Sequence, residues 1–127
     1  MLKASLLVIA FCLAFVSGLS AEDNCKDPKT SYDRTYCAAK LFLESDKELN
    51  AVYKELKGLI KPDVQKKLVL VQREWIHYRD NQCESNGTID VDCNHNVNVA
   101  RIDYLRERPR ECKAGQARPD LIEKQSW

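Results

Sequence analysis

The chain has 127 residues, with 20 Lys and Arg against 19 Asp and Glu and a formal net charge of +1. So even a balance excludes the broad basic footprint that nucleic-acid binding needs, and any attraction to a charged partner must come from a local patch. The length accommodates one domain with a single modest core.

In chain order, the first element is a leader. Lys3 is followed by an apolar run from Leu6 to Val16 and then by the small residues Ser17, Gly18, Ser20 and Ala21. A charged start, a short apolar stretch and a small-residue exit read as a secretory signal over residues 1–21, cleaved after Ser20 or Ala21. The run is too short to span a bilayer comfortably. Cys12 does not read as a lipidation site, because the bulky Phe11 precedes it and the apolar run continues beyond it. Loss of Lys3 with the leader leaves 19 basic residues against 19 acidic.

The first helix is expected from Ser31, where Thr30 and Asp33 have the spacing of a capping box. Ala38, Phe42, Leu49, Val52, Leu56 and Leu59 recur on one helical face, and Gly58 and Pro62 mark its end. A second helix starts with Pro62 in its first turn, where the missing N–H costs nothing. Val64, Leu68, Val71, Trp75 and Tyr78 form its apolar stripe as far as Cys83. Residues 84–92 read as a loop around the turn signal Asn86-Gly87. A third helix is expected from Asn94 to Glu107, with Val97, Ala100 and Tyr104 inward and Pro109 as its stop. Residues 109–127 read as a charged tail with a short helix near Asp120. No sustained apolar–polar alternation occurs, so no sheet is expected.

The fold class read from these elements is all-α. It is a small disulfide-stapled three-helix bundle, an antiparallel helix hairpin plus a third helix, with a C-terminal tail. The domain occupies residues 22–108. Export implies an oxidising compartment, and five cysteines follow the leader. The antiparallel hairpin places Cys25, Cys37, Cys83 and Cys93 at one end of the bundle and Cys112 at the other. The favoured pairs are Cys25–Cys37 and Cys83–Cys93, with Cys112 the odd thiol; spacing alone leaves the crossed pairings open. No C-x-x-C pair is present, and a zinc set of Cys83, Cys93, His77 and His95 is disfavoured against disulfides in a secreted chain. No cofactor is implied.

Cys25, Cys37, Asp46, Leu49-Asn50, Tyr53, Gln72, Trp75, Arg79-Asp80, Cys83, Cys93 and Arg101 together resemble the LprI-like family of small bacterial envelope proteins, over Cys25 to Leu105. The resemblance implies a periplasmic or secreted, non-enzymatic protein whose partner is another protein, a lysozyme in the family's name. The charge balance implies no nucleic-acid partner, and beyond the leader no apolar stretch is expected to form a membrane span. Asp46, Asn50, Tyr53, Gln72, Trp75, Arg79 and Asp80 form its structural signature. Arg79 is expected to satisfy a carboxylate or Asn50 at the helix seam; the rival is an Asp46–Asp80 acid–base pair of glycosidase type. A bundle of this size is expected to leave little room for a cleft. Tyr53 and Trp75 are expected in the core, and His77 and His95 at the surface. From Asp80 to Val99 there are four acids and no Lys or Arg. Glu84, Asp90 and Asp92, on a loop closed by Cys83–Cys93, are therefore the expected partner-binding residues. The opposite charge gathers in Arg106, Arg108, Arg110, Lys113 and Arg118, which could face anionic lipid or wall polymer but read more simply as a solvated run. The alternatives to lysozyme inhibition are an immunity or stress-response protein with another partner and, further off, an envelope-acting hydrolase.

Overall fold

The computed structural model describes residues 24–124 and 127. The leader lies outside the described residues. A 3-10 turn at Asn24–Lys26 leads into α1, Ser31–Leu59. The Thr30 hydroxyl accepts from the Asp33 N–H at 3.0 Å, and the Asp33 carboxylate accepts from the Thr30 N–H at 2.9 Å. Two of the donors that a helix start leaves unsatisfied are thereby satisfied. At the other end, the Gln65 side-chain amide donates to the carbonyls of Lys57 and Ile60 at 2.9 and 3.1 Å. Gln65 belongs to α2, Pro62–Cys83, which opens on its proline. Only residues 60 and 61 separate the two helices, so the chain reverses sharply and α1 and α2 run antiparallel.

Past α2 the structure departs from the expected loop. Glu84–Ser85 (β1) and Thr88–Ile89 (β2) form an antiparallel two-stranded ribbon. Asn86 and Gly87 both have positive φ, 52° and 74°. That is the backbone of a two-residue turn whose twist matches paired strands, and Asn-Gly is its preferred sequence. A ribbon this short needs no alternating pattern, which is why periodicity missed it.

The third helix is longer at both ends than expected. Here α3 spans Val91–Lys113. It starts early because the Asp90 side chain caps it, accepting from the Cys93 N–H at 2.9 Å. It runs through Pro109, which is buried in its last turns. A proline N–H is missing from one bond only, and burial of Arg108 and Pro109 carries the helix one turn further. Gly115, at φ 72°, follows the helix, its N–H bonded to the Cys112 carbonyl at 3.1 Å.

The chain after Pro109 is not a loose tail. It returns as α4, Pro119–Ile122, and Ile122 is 1% exposed within the core. The Tyr104 hydroxyl donates to the Leu121 carbonyl at 2.6 Å, and Lys67 pairs with Glu123 at 2.9 Å. Leu49 and Leu56 of α1, Val64, Leu68 and Trp75 of α2, and Ile102 and Leu105 of α3 complete that core. Leu59 and Ala100, expected inward, are exposed, and Val97 and Tyr104 are half-buried.

Along its length α1 lies against α3, while α2 packs on α3 and α4 and stands farther from α1. Cys25 bonds to Cys37, and Cys83 to Cys93, with Cα separations of 5.3 and 5.4 Å, both within the ordinary range. Cys112 is the free cysteine among the described residues. Burial, and the neighbouring Glu111 carboxylate, push its thiol pKa up, which disfavours the reactive thiolate.

Candidate functional site

Two features stand out at the cysteine end. The first is the ribbon. Cys83 and Cys93 clamp its two ends, and the Asp90 N–H closes it on the Cys83 carbonyl at 2.8 Å. Between these ties every residue from Glu84 to Asp90 is exposed, Ile89 at 53%. Glu84 lies on β1, and Asp92 is exposed in the first turn of α3. Asp90 has a second duty as the helix cap, which the reading of it as a partner contact alone did not include. The hairpin is thus a convex, acidic projection held by a disulfide, a cap and a turn.

The second feature is a polar seam. Arg79 is largely buried, its side chain 15% exposed. Its Nε and Nη2 donate to Asp80 Oδ1 at 3.1 and 3.0 Å, and its Nη1 donates to Asn98 Oδ1 at 3.2 Å and Asp46 Oδ1 at 3.5 Å. Its guanidinium carbon lies 5.5 Å from the Trp75 ring centroid. Asn50 donates to the Asp46 carbonyl and carboxylate at 2.9 and 3.2 Å. Asn98 in turn donates to Ser45 Oγ at 3.3 Å, and that hydroxyl donates to the Phe42 carbonyl at 2.9 Å. All three long helices are tied through Arg79. Asp46 and Asp80 share one guanidinium, so the arrangement is an ion-pair network and not a pair of opposed carboxylates flanking a substrate. Arg79→Ala should lower stability by roughly 1–3 kcal/mol, because it leaves Asn98 and the two carboxylates short of a partner. Thermal unfolding would show this, with partial recovery in Arg79→Lys.

Contrary to the expectation of little room, a cleft of about 470 Å³ opens between α1 and α2. Asp46, Asn50 and Tyr53 line it from one helix, and Gln72, Trp75 and Arg79 from the other. The physical reason lies in the spacing of the helices. α1 lies along α3 while α2 packs on α3 and α4, so the facing walls of α1 and α2 stand apart. Trp75 is 2% exposed and belongs to the core as expected, whereas Tyr53 is only half-buried. Partial burial raises the Tyr53 phenol above its ordinary pKa, with Arg73 opposing.

The buried face of α3 was not legible as an apolar stripe because much of it is polar. Asn94, Asn98, Arg101 and Arg108 are all buried beside Ile102 and Leu105. Arg101, 3% exposed, is the centre of an aromatic cage. Its guanidinium carbon lies 5.7, 5.6 and 5.5 Å from the ring centroids of Trp75, Tyr104 and Trp127. Its Nε donates to Gln72 Oε1 at 3.1 Å, while Nη2 is buried without a hydrogen bond. Burial pulls its pKa down to about 10. The signal available was spacing: positions 94, 98, 101, 105 and 108 follow each other by four and three.

The basic residues near the C terminus are locally paired. Arg106 meets Glu48, Arg108 meets Glu111, Arg110 meets Glu107, Lys113 meets Glu55 and Arg118 meets Asp120. Each of these five basic side chains thus has a carboxylate beside it. His77 is exposed, whereas His95 is half-buried with its Nδ1 3.2 Å from the Leu41 carbonyl, bridging α3 to α1. Among the described residues no group of His, Cys, Asp and Glu is placed to hold a metal, and no helix is long and apolar enough to cross a membrane.

A comparison with family models matches residues 22–123 to the model described as "Lysozyme inhibitor LprI". No curated protein and no solved structure matches the chain.

Proposed function

The chain belongs to the LprI lysozyme-inhibitor family, and from that premise we propose that it is an exported protein that binds a muramidase and blocks its cleft with the Glu84–Ile89 hairpin. The hairpin's shape carries this reading. A lysozyme presents a concave active site, and this ribbon, exposed from Glu84 to Asp90 and closed by a disulfide, is suited to enter it. Its bracing by Cys83–Cys93 and the Asp90 cap reduces the conformational entropy lost on docking. Its charge is acidic, from Glu84, Asp90 and Asp92, on a chain of nearly neutral balance. Animal-type lysozymes are basic, so the encounter is steered by long-range attraction that salt weakens. The mechanism is steric occlusion and asks for no cofactor and no reacting group of the protein's own. The leader over 1–21 supplies the route to a periplasmic or secreted location.

The test is a titration of purified protein into a panel of muramidases, scored by lysis of cell walls at two salt concentrations. Stoichiometric inhibition that weakens with salt is the expected result. The triple variant Glu84→Gln, Asp90→Asn, Asp92→Asn should associate roughly tenfold more slowly at low salt, with a smaller change in dissociation. Its fold should persist, because asparagine caps a helix about as well as aspartate. Undiminished lysis across the panel would sink the inhibitor reading and favour another envelope partner. Inhibition unchanged in the triple variant would keep the function and move the site.

A further inference from the structure

We propose that the cleft between α1 and α2 is a second binding site, one that takes a small carboxylate-bearing sugar. Its volume of about 470 Å³ lies within the usual range for small-molecule sites and has room for one or two sugar rings. Its walls are of two kinds. Leu49, Val69 and Ile76 offer an apolar surface suited to the C–H face of a pyranose. Opposite polarity comes from Asp46 and Asn50, whose side chains are already fixed by their mutual hydrogen bond and by Arg79. Planar side chains held in place this way suit the paired hydroxyls of a sugar ring, because little ordering is lost on binding.

Charge selects the acid over the neutral sugar. Asp46 is the one carboxylate lining the cleft, and Arg79 already engages it. Lys57 and Arg73 also line it, and neither side chain has an ion-pair partner among the described residues. Among the described residues, Arg73 is the single arginine whose guanidinium has no hydrogen-bond or ion-pair partner. Every other arginine is engaged: Arg34 by Ser31, Arg79 by Asp80, Arg101 by Gln72, and those from Arg106 onward by carboxylates. The Tyr53 hydroxyl, near enough to Arg73 for their charges to interact, likewise has no hydrogen-bond partner among the described residues. An idle guanidinium, an idle ammonium and an idle phenol around one cavity are a receptor for a carboxylate, which Arg binds through two parallel N–H donors.

A matched pair of probes tests this, since N-acetylmuramic acid and N-acetylglucosamine differ by one carboxylate-bearing substituent. Each is titrated into the purified protein by amide-resolved NMR, following the Trp75 indole and the Tyr53 amide. The acid should shift both signals saturably, and the neutral sugar should bind at least about tenfold more weakly. Arg73→Met, at an exposed position, should weaken the acid by about tenfold and leave the neutral sugar unchanged. Muramidase inhibition by the hairpin should be the same in Arg73→Met as in the parent, so failure here and failure of the inhibitor reading are separate outcomes. Equal binding of the two sugars, no binding of either, or an unchanged acid affinity in Arg73→Met would each overturn the proposal. So would shifts of these signals by a muramidase and by neither sugar, which would assign the cleft to a protein side chain.

Discussion

Trp75→Ala should be the most damaging single substitution in the chain, lowering stability by roughly 3–5 kcal/mol and the unfolding midpoint by on the order of 20 °C. The indole is 2% exposed and is the largest of the fully buried side chains. Its loss leaves a cavity at the centre of the core. It also removes one ring from two guanidinium groups, Arg79 at 5.5 Å and Arg101 at 5.7 Å. Both cations are mostly desolvated, and a buried charge deprived of favourable contacts is costly. Trp75→Phe restores part of the volume and one aromatic face, so it should recover about half of the loss. Calorimetry of the three proteins decides the matter. A midpoint within about 5 °C of the parent in Trp75→Ala would mean that the core is not organised around this ring.

Replacing both Cys83 and Cys93 with serine should cost roughly 3 kcal/mol, the chain-entropy value for a loop of this length, the two cysteines being 10 residues apart. The functional cost should be larger than the fold's. The hairpin would keep its Asn86-Gly87 turn and the Asp90 cap but lose the clamp where α2 ends and α3 begins. A loosened hairpin must be ordered again on docking, which should raise the dissociation rate of a bound muramidase while leaving charge-steered association nearly intact. The Cys25–Cys37 pair closes a loop of similar length but only holds the 3-10 turn to α1. Its removal should lower stability by a comparable amount without touching inhibition. Identical inhibition by the two double-serine proteins would argue against the hairpin as the contact.

Local signals read well from this sequence. The Thr30–Asp33 box, the opening proline of α2 and its stripe of Val64, Leu68, Val71 and Trp75 each rest on interactions within a few residues. Cysteine placement followed, because an antiparallel hairpin fixes which ends meet. The failures share a different cause. Pro109 inside α3, Ile122 in the core and Trp127 over Arg101 depend on what distant segments bury. So does the cleft, because hydrophobic spacing shows which face turns inward but not how far apart two inward faces stand. Asn98 and Arg101 were hidden for a further reason: an apolar-stripe criterion passes over a buried face whose members are polar. Among the candidate site residues, Asp46, Asn50, Arg79 and Asp80 could be placed together from helix spacing. The third helix's share of that network, Asn98, could not.

The polar face of α3 also constrains how this domain can drift over evolutionary time. A leucine in a core can be exchanged for a methionine or isoleucine at little cost, whichever neighbour it meets. Gln72 and Arg101, or Ser45 and Asn98, cannot be exchanged singly, since each donor–acceptor pair is lost when either member goes. Relatives should therefore change these positions in pairs across helices. Such paired change would serve as a register mark by which remote homologues can be aligned even after their apolar residues have diverged.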